Sequence, residues 1–188
     1  MSTALVKQLR ERTGAGIMEC KRALDESDGN LDKASEILRA QGMAKADKKV
    51  GRAARQGVIE AYIHAGGRIG SLVELNCETD FVARTPDFKT LAHEIALQVA
   101  AMDVRYIHKD EVPAEALSAG AEEFGDEKRF LETHVLLHQP FIKEPKRNID
   151  QLVRDAIGKL GENIVVRRAV RFEVGATSDA GSDEPADA

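Results

Sequence analysis

Gly57-Val58-Ile59-Glu60-Ala61-Tyr62-Ile63-His64, then Ala65-Gly66-Gly67-Arg68, then Ile69-Gly70-Ser71-Leu72-Val73-Glu74-Leu75-Asn76 form two alternating runs around a pair of glycines. In the first run Ile59, Ala61 and Ile63 alternate with Glu60, Tyr62 and His64, the period of a strand with one buried face. In the second, Ile69, Ser71, Val73 and Leu75 share one face, with Leu72, Glu74 and Asn76 on the other. Glycines between such runs specify a hairpin, because positive φ costs little only at glycine. An antiparallel sheet is expected, and its cover must come from either side.

Downstream, Thr85-Pro86-Asp87 is a helix start: a capping hydroxyl, a proline whose missing N–H is harmless, and an acid at the positive end of the dipole. Phe88, Leu91, Ile95, Val99 and Met102 then repeat at helical spacing, and this helix should cover the hairpin. Glu111 to Leu117 and Glu122 to Thr133 read as shorter helical pieces around Pro113 and Gly120, and Val135 to Phe141 as an extended apolar segment. Asn148 and Gln151 make a capping box for an amphipathic helix that carries Ile149, Leu152, Val153, Ala156, Ile157 and Leu160 and stops at Gly161. A last strand follows, with Ile164, Val166, Arg168, Val170, Phe172 and Val174 alternating with Val165, Arg167, Ala169, Arg171 and Glu173.

Upstream, Leu5, Val6 and Leu9 mark a first helix that Gly14 and Gly16 interrupt. A second fits Ile17 to about Glu26 and buries Ile17, Met18, Ala23 and Leu24; Asn30 caps a third, whose Leu31, Ala34, Ile37 and Leu38 share a face before Gly42 stops it. The reading is an α+β chain: a three-helix bundle over 1–44, a basic connector over 45–56, an α+β core over 57–175 whose antiparallel sheet is covered by helices, and a disordered acidic tail over 176–188.

The 188 residues carry 27 Lys plus Arg against 32 Asp plus Glu, a net charge of −5, which argues against a general nucleic-acid binder. No apolar run is long enough to span a bilayer, and Lys7, Arg10, Glu11 and Arg12 stand where a signal peptide needs apolar residues, so a soluble cytoplasmic protein away from membranes is expected. Two cysteines, Cys20 and Cys77, are too few for a disulfide scaffold or a zinc cluster, and both are expected as reduced thiols. His134 and His138 have metal-ligand spacing on a helix, but they lie in an apolar segment without a third ligand. Thr13-Gly14-Ala15-Gly16 follows no strand and lacks a phosphate-loop lysine, so no nucleotide, metal or other cofactor is assigned to this chain. The bases between Lys45 and Arg55 read as a solvated connector or a polar helix.

Asn76-Cys77-Glu78-Thr79-Asp80-Phe81-Val82 places a carboxylate beside a large ring where polar turn residues are expected. Two readings stand open. Phe81 tucks under the sheet edge, or it protrudes and anchors in a partner's pocket while Asp80 approaches a charged site.

The run from Leu5 to Leu24, with Arg12-Thr13-Gly14-Ala15-Gly16-Ile17-Met18-Glu19-Cys20-Lys21 at its centre, closely resembles the N-terminal signature of the bacterial elongation factor Ts family. Val73 to Ala83, containing Thr79-Asp80-Phe81-Val82, is similar to that family's second signature, and Gly161-Glu162-Asn163-Ile164-Val165-Val166-Arg167-Arg168 resembles a third. The resemblance frames residues 4–175 and implies a guanine-nucleotide exchange factor for elongation factor Tu, binding its GDP-bound and nucleotide-free forms without covalent chemistry. It implies a ubiquitin-associated-like N-terminal bundle. The positions matching Asp80 and Phe81, flanked by Thr79 and Val82, are inserted beside the partner's nucleotide site and disturb its Mg²⁺ and phosphate-binding loop. Positions matching Lys7, Leu9 and Lys21 belong to the bundle's contact surface. Gln98 stands where the family often has a histidine that contacts the partner. The chain looks like the short form, abbreviated around Ser118 to Lys128, and a noncovalent homodimer is expected. A ribosome- or RNA-associated adaptor using the connector is the rival reading, and a thiol or metal hydrolase is disfavoured by the missing triad and ligand set.

Overall fold

A computed structural model describes residues 2–176, and the expected acidic tail lies, from 177 onward, outside the described residues. The N-terminal unit is three helices: α1 (Thr3–Thr13), α2 (Ile17–Glu26) and α3 (Leu31–Asp47). The expected cap is in place, since the Asn30 side chain accepts from the amides of Asp32 and Lys33, each at 3.0 Å. Leu9, Cys20, Ala23, Leu24, Ala34 and Leu38 make the bundle's core. Ile17 and Met18, expected inside, are instead 58% and 69% exposed. Ile17 and Met18 of the first turn of α2 face outward, and from Cys20 onward a face of that helix turns inward.

Gly42 does not end the third helix. α3 runs on to Asp47, so its last turns and the bundle are one piece, and the connector shrinks to the residues between Asp47 and Gln56. After it come β1 (Gln56–Ile63), β2 (Ile69–Cys77), α4 (Asp80–Ala83), α5 (Pro86–Ala101), α6 (Ala114–Phe124), α7 (Glu127–His134), β3 (Pro140–Phe141), β4 (Glu144–Asn148), α8 (Ile149–Leu160) and β5 (Ile164–Glu173). Gly120 interrupts nothing: it lies inside α6 because the Phe130 ring packs where its Cβ would stand. Val135 to Phe141 is extended only in part, as a 3-10 turn at Leu136–His138 shortens it.

β1, β2 and β5 form an antiparallel sheet in the order β1-β2-β5, and β3 pairs with β4 separately. Both hairpin glycines have positive φ, 91° at Gly66 and 67° at Gly67. α5 covers one face of the sheet, burying Phe88, Leu91, Ile95 and Val99 with Val73 and Leu75, and the Ser71 hydroxyl donates to the Ala96 carbonyl at 2.6 Å. Each such buried aliphatic or aromatic side chain is worth about 1.5–3 kcal/mol against exposure. α8 closes the core with Ile149, Val153 and Ile157, and the Asn148–Gln151 capping box and the left-handed Gly161 end it as expected.

Two strands differ from their expected facing. In β1 the half-buried residues are Val58, Glu60 and Tyr62, while Ile59 and Ile63 are 69% and 66% exposed. The register sets this, because Val58 lies opposite the buried Leu75 and Tyr62 opposite the buried Ser71. In β5 one residue is extra: Glu74 faces Arg168 and Leu75 faces Val166, leaving Arg167 without a partner of its own. That bulge reverses the alternation. Ile164 and Val166 point inward, but beyond it Ala169 packs on the core and Arg171 donates to the Ala100 carbonyl at 3.0 Å, while Val170 and Phe172 face out. The outer face therefore aligns Ala61, Leu72 and Val170 in one row and Ile63, Gly70 and Phe172 in the next.

The third helix of the bundle runs past residue 44 and packs on the main core. α3 crosses α8 where a Cβ on Gly158 would stand 2.9 Å from the Gly42 carbonyl oxygen, so the two backbones touch. Ala46, still on α3, belongs to the main core, and Arg154 of α8 pairs with Asp47.

Candidate functional site

The second signature begins inside β2, at Val73, and runs past the end of that strand at Cys77. Cys77 is fully buried, and its thiol donates to the Thr79 carbonyl at 3.1 Å. Burial, and then the charge of Glu162, push that thiol up to about 11, so at neutral pH it is held as the protonated, weakly nucleophilic thiol. Thr79 caps α4, a single turn, by accepting from the Val82 amide at 3.4 Å. Ala83 is the buried foot of that turn and Val82 is half-buried against the core. Phe81 points the other way and is 79% exposed, so it does not tuck under the sheet edge. Asp80 is half-buried beside it, and Arg84 holds its carboxylate at 2.8 Å. The Thr85 hydroxyl then donates to the Val82 carbonyl at 2.8 Å and accepts from the Phe88 amide at 3.3 Å, joining α4 to α5 with no slack between them.

Residues to which sequence reasoning gave no role hold this turn from behind. Glu162, just past Gly161, accepts the amides of Glu78 at 3.1 Å and Thr79 at 2.9 Å with one oxygen and the Thr79 hydroxyl at 2.6 Å with the other. In return Glu78 accepts the Asn163 amide at 2.7 Å, and the Asn163 side chain donates to the Arg52 carbonyl at 2.7 Å. The third signature is therefore packed on the second. The signal that pointed to it was the match at Gly161-Glu162-Asn163 itself, since nothing in periodicity marks an acid after a helix stop.

The other expected contact residues divide by burial. Lys7 and Lys21 are exposed on the bundle, with Lys7 only 3.8 Å from Glu11 in an open i,i+4 pair. Leu9 is 0% exposed in the bundle core, so it offers no surface to a partner. Gln98 is also fully buried: its amide nitrogen donates to Gln139 Oε1 and the Pro140 carbonyl, and its oxygen accepts the Ile142 amide at 3.0 Å. A side chain so engaged pins the segment around β3 and cannot reach outward. Ile17 and Met18 are the bundle's exposed apolar residues. Only their failure to fill the core marks them out.

Among the described residues no group of three or more His, Cys, Asp or Glu side chains converges on a common point, and no helix is long and apolar enough to cross a membrane. His93 faces Glu60 at 3.1 Å.

Comparison with known proteins bears on the same segments. The sequence profile described as elongation factor TS matches residues 45–127. An elongation factor Ts of Coprothermobacter proteolyticus is 48% identical over 194 residues, covering 93% of this chain and 98% of its own. One from Carboxydothermus hydrogenoformans is 50% identical, with 93% and 89% covered. One from Thermoanaerobacter sp. is 46% identical over 203 residues, with 98% and 100% covered.

Proposed function

The chain belongs to the elongation factor Ts family, and on that premise we propose that it is a guanine-nucleotide exchange factor for elongation factor Tu, promoting GDP release during translation elongation in the cytoplasm. One observation carries the reading: Phe81 is 79% exposed on a turn that is capped and clamped on every other side. A folded protein gains nothing by holding a phenylalanine in water, whereas an anchor awaiting a pocket gains the burial on docking. Asp80, next to it, brings negative charge to the region that holds Mg²⁺ and phosphate, where charge-assisted bonds are the strong ones. Thr79 and Val82 hold the turn, one as its cap and the other against the core.

Exchange follows from linkage. A factor that binds the nucleotide-free partner more tightly than the GDP-bound form must weaken GDP binding by the same factor in the ternary complex. No covalent step is required of this chain. The bundle, which we take as ubiquitin-associated-like, adds contact through exposed Lys7 and Lys21 and through Ile17 and Met18. Leu9 supports that surface from within, and Gln98 acts by fixing the β3 segment. The decisive experiment is release of labelled GDP from elongation factor Tu with and without the protein. Acceleration supports exchange. Salt-dependent RNA binding with no effect on GDP would favour an RNA-associated adaptor built on the connector.

A second reading concerns assembly. Ile59, Ile63, Leu72, Val170 and Phe172 are all at least 43% exposed on the outer sheet face, with the Glu74–Arg168 pair at its rim. An exposed apolar face of this kind can bury itself against the same face of a second copy across a two-fold axis. We take its occupant to be a second copy of this chain, held without a covalent link because both cysteines are buried.

A further inference from the structure

We propose that Glu162 is the positioning residue of the exchange segment, setting where Phe81 stands although it touches no partner itself. The inference rests on the reading of Phe81 as the anchor. With 79% of its surface free, Phe81 is not held by its own packing, so its place comes from the backbone beneath it. That backbone is a single helical turn, Asp80–Ala83, and one turn does not hold itself together, because nucleation fixes several dihedrals for one hydrogen bond. Something outside the turn must fix it.

Glu162 makes three of the bonds that do. Its carboxylate accepts two consecutive amides, those of Glu78 and Thr79, which fixes the direction in which the chain leaves β2. Its other oxygen takes the Thr79 hydroxyl proton at 2.6 Å, which leaves the lone pairs of that hydroxyl for the Val82 amide. The acid thus orients the cap as well as the approach, and such chains of hydrogen bonds polarise one another. Glu162 itself sits between α8 and β5, both anchored in the main core, and the reciprocal bond from the Asn163 amide to Glu78 closes the pair of turns. Position is thereby passed from the core to an exposed ring through this carboxylate on the β2 side of the turn, as Val82 and Ala83 pass it from within.

The test uses the full chain with Glu162→Ala, Glu162→Gln, Phe81→Ala and the double variant Phe81→Ala/Glu162→Ala. The readouts are the rate of labelled GDP release from elongation factor Tu and amide hydrogen exchange over residues 78–83. Glu162→Ala is expected to slow release about tenfold, since small misplacements of a positioned group have effects of this order or larger, and to lose protection at Glu78 and Thr79. Glu162→Gln should recover release to within about twofold of the parent, because its amide oxygen still accepts the two backbone donors. The double variant should be no slower than Phe81→Ala alone, because a residue that acts through Phe81 has nothing left to position. Additive losses in the double variant would overturn the proposal, as would equal losses for Gln and Ala that track thermal stability. If Phe81→Ala slows release and Glu162→Ala does not, the positioning role alone falls. If Phe81→Ala leaves release unchanged, the anchor reading falls and takes the proposal with it. Should Glu162→Ala fail to fold, Thr79→Val, which removes one bond of the clamp together with the Val82 cap, must show the same non-additivity.

Discussion

Replacing Phe81 by alanine separates anchoring from folding. Full burial of a phenylalanine is worth about 1.5–3 kcal/mol relative to exposure, and 79% of this one is still exposed in the free protein, so docking recovers about 2 kcal/mol from the ring. At 1.4 kcal/mol per tenfold, the loss on truncation is roughly ten- to thirtyfold in exchange efficiency. The free protein should hardly notice: surface substitutions stay within about 0.5 kcal/mol, which for a chain of this size moves the melting temperature by only about 1–2 °C. The assay is stopped-flow release of fluorescent GDP from elongation factor Tu over a range of factor concentrations, with a thermal melt of each variant alongside. A variant that melts far below the parent and loses activity in proportion would show that Phe81 supports the fold. A variant that releases GDP at the parental rate would show that Phe81 is not the anchor.

Three further outcomes are expected. Gly158→Ala should lower the melting temperature by several degrees, since its Cβ would stand 2.9 Å from the Gly42 carbonyl and overpacking costs about 1–3 kcal/mol; Gly42→Ala, whose Cβ meets nothing within 4 Å, should stabilise α3 by about 0.5–1 kcal/mol, and calorimetry of the two variants checks both signs. Cys77 should resist thiol reagents at pH 8 in the folded chain and react on unfolding. Because its folded value is raised from the ordinary thiol value of 9.0 to about 11, its contribution to stability is fully present below about pH 9 and is lost as pH rises towards 11, which denaturant melts across that window would reveal. Light scattering over a dilution series should give a reductant-insensitive dimer at micromolar concentration that Phe172→Asp converts to monomer; a monomer at every concentration would remove the outer sheet face as an interface.

How much could be read from the residues depends on which physical signal each element leaves. Caps and stops are local, so the Asn148–Gln151 box, the Asn30 cap and the start of α5 at Pro86 were all legible. Strand facing is not local. β1 has large apolar residues on both sides, Val58 and Tyr62 against Ile59 and Ile63, and only its register with β2 determines which side meets α5. The bulge at Arg167 was hidden for the same reason, because an extra residue shows in the pairing and not in the composition. Gly42 read as a stop, yet a helix passes through glycine when tertiary contact with α8 outweighs propensity. At the site, the Asp80-Phe81 pair stood out because a ring in a polar turn breaks the pattern. Family likeness put Leu9 on the contact surface and Gln98 where the family often has a partner-contacting histidine, and both are fully buried. Glu162 left no pattern to break, and its role appears only when the third signature is seen folded against the second.

α3 contributes Leu38 to one hydrophobic core and Ala46, about two turns further on, to the other. A helix shared in this way works as a calliper: the jaw carrying Lys21 and the jaw carrying Phe81 stay at a set gap. On the exchange reading, a partner gripped by the first jaw would meet the second without a fresh loss of rotational and translational freedom, so the pair of contacts would act at high effective concentration.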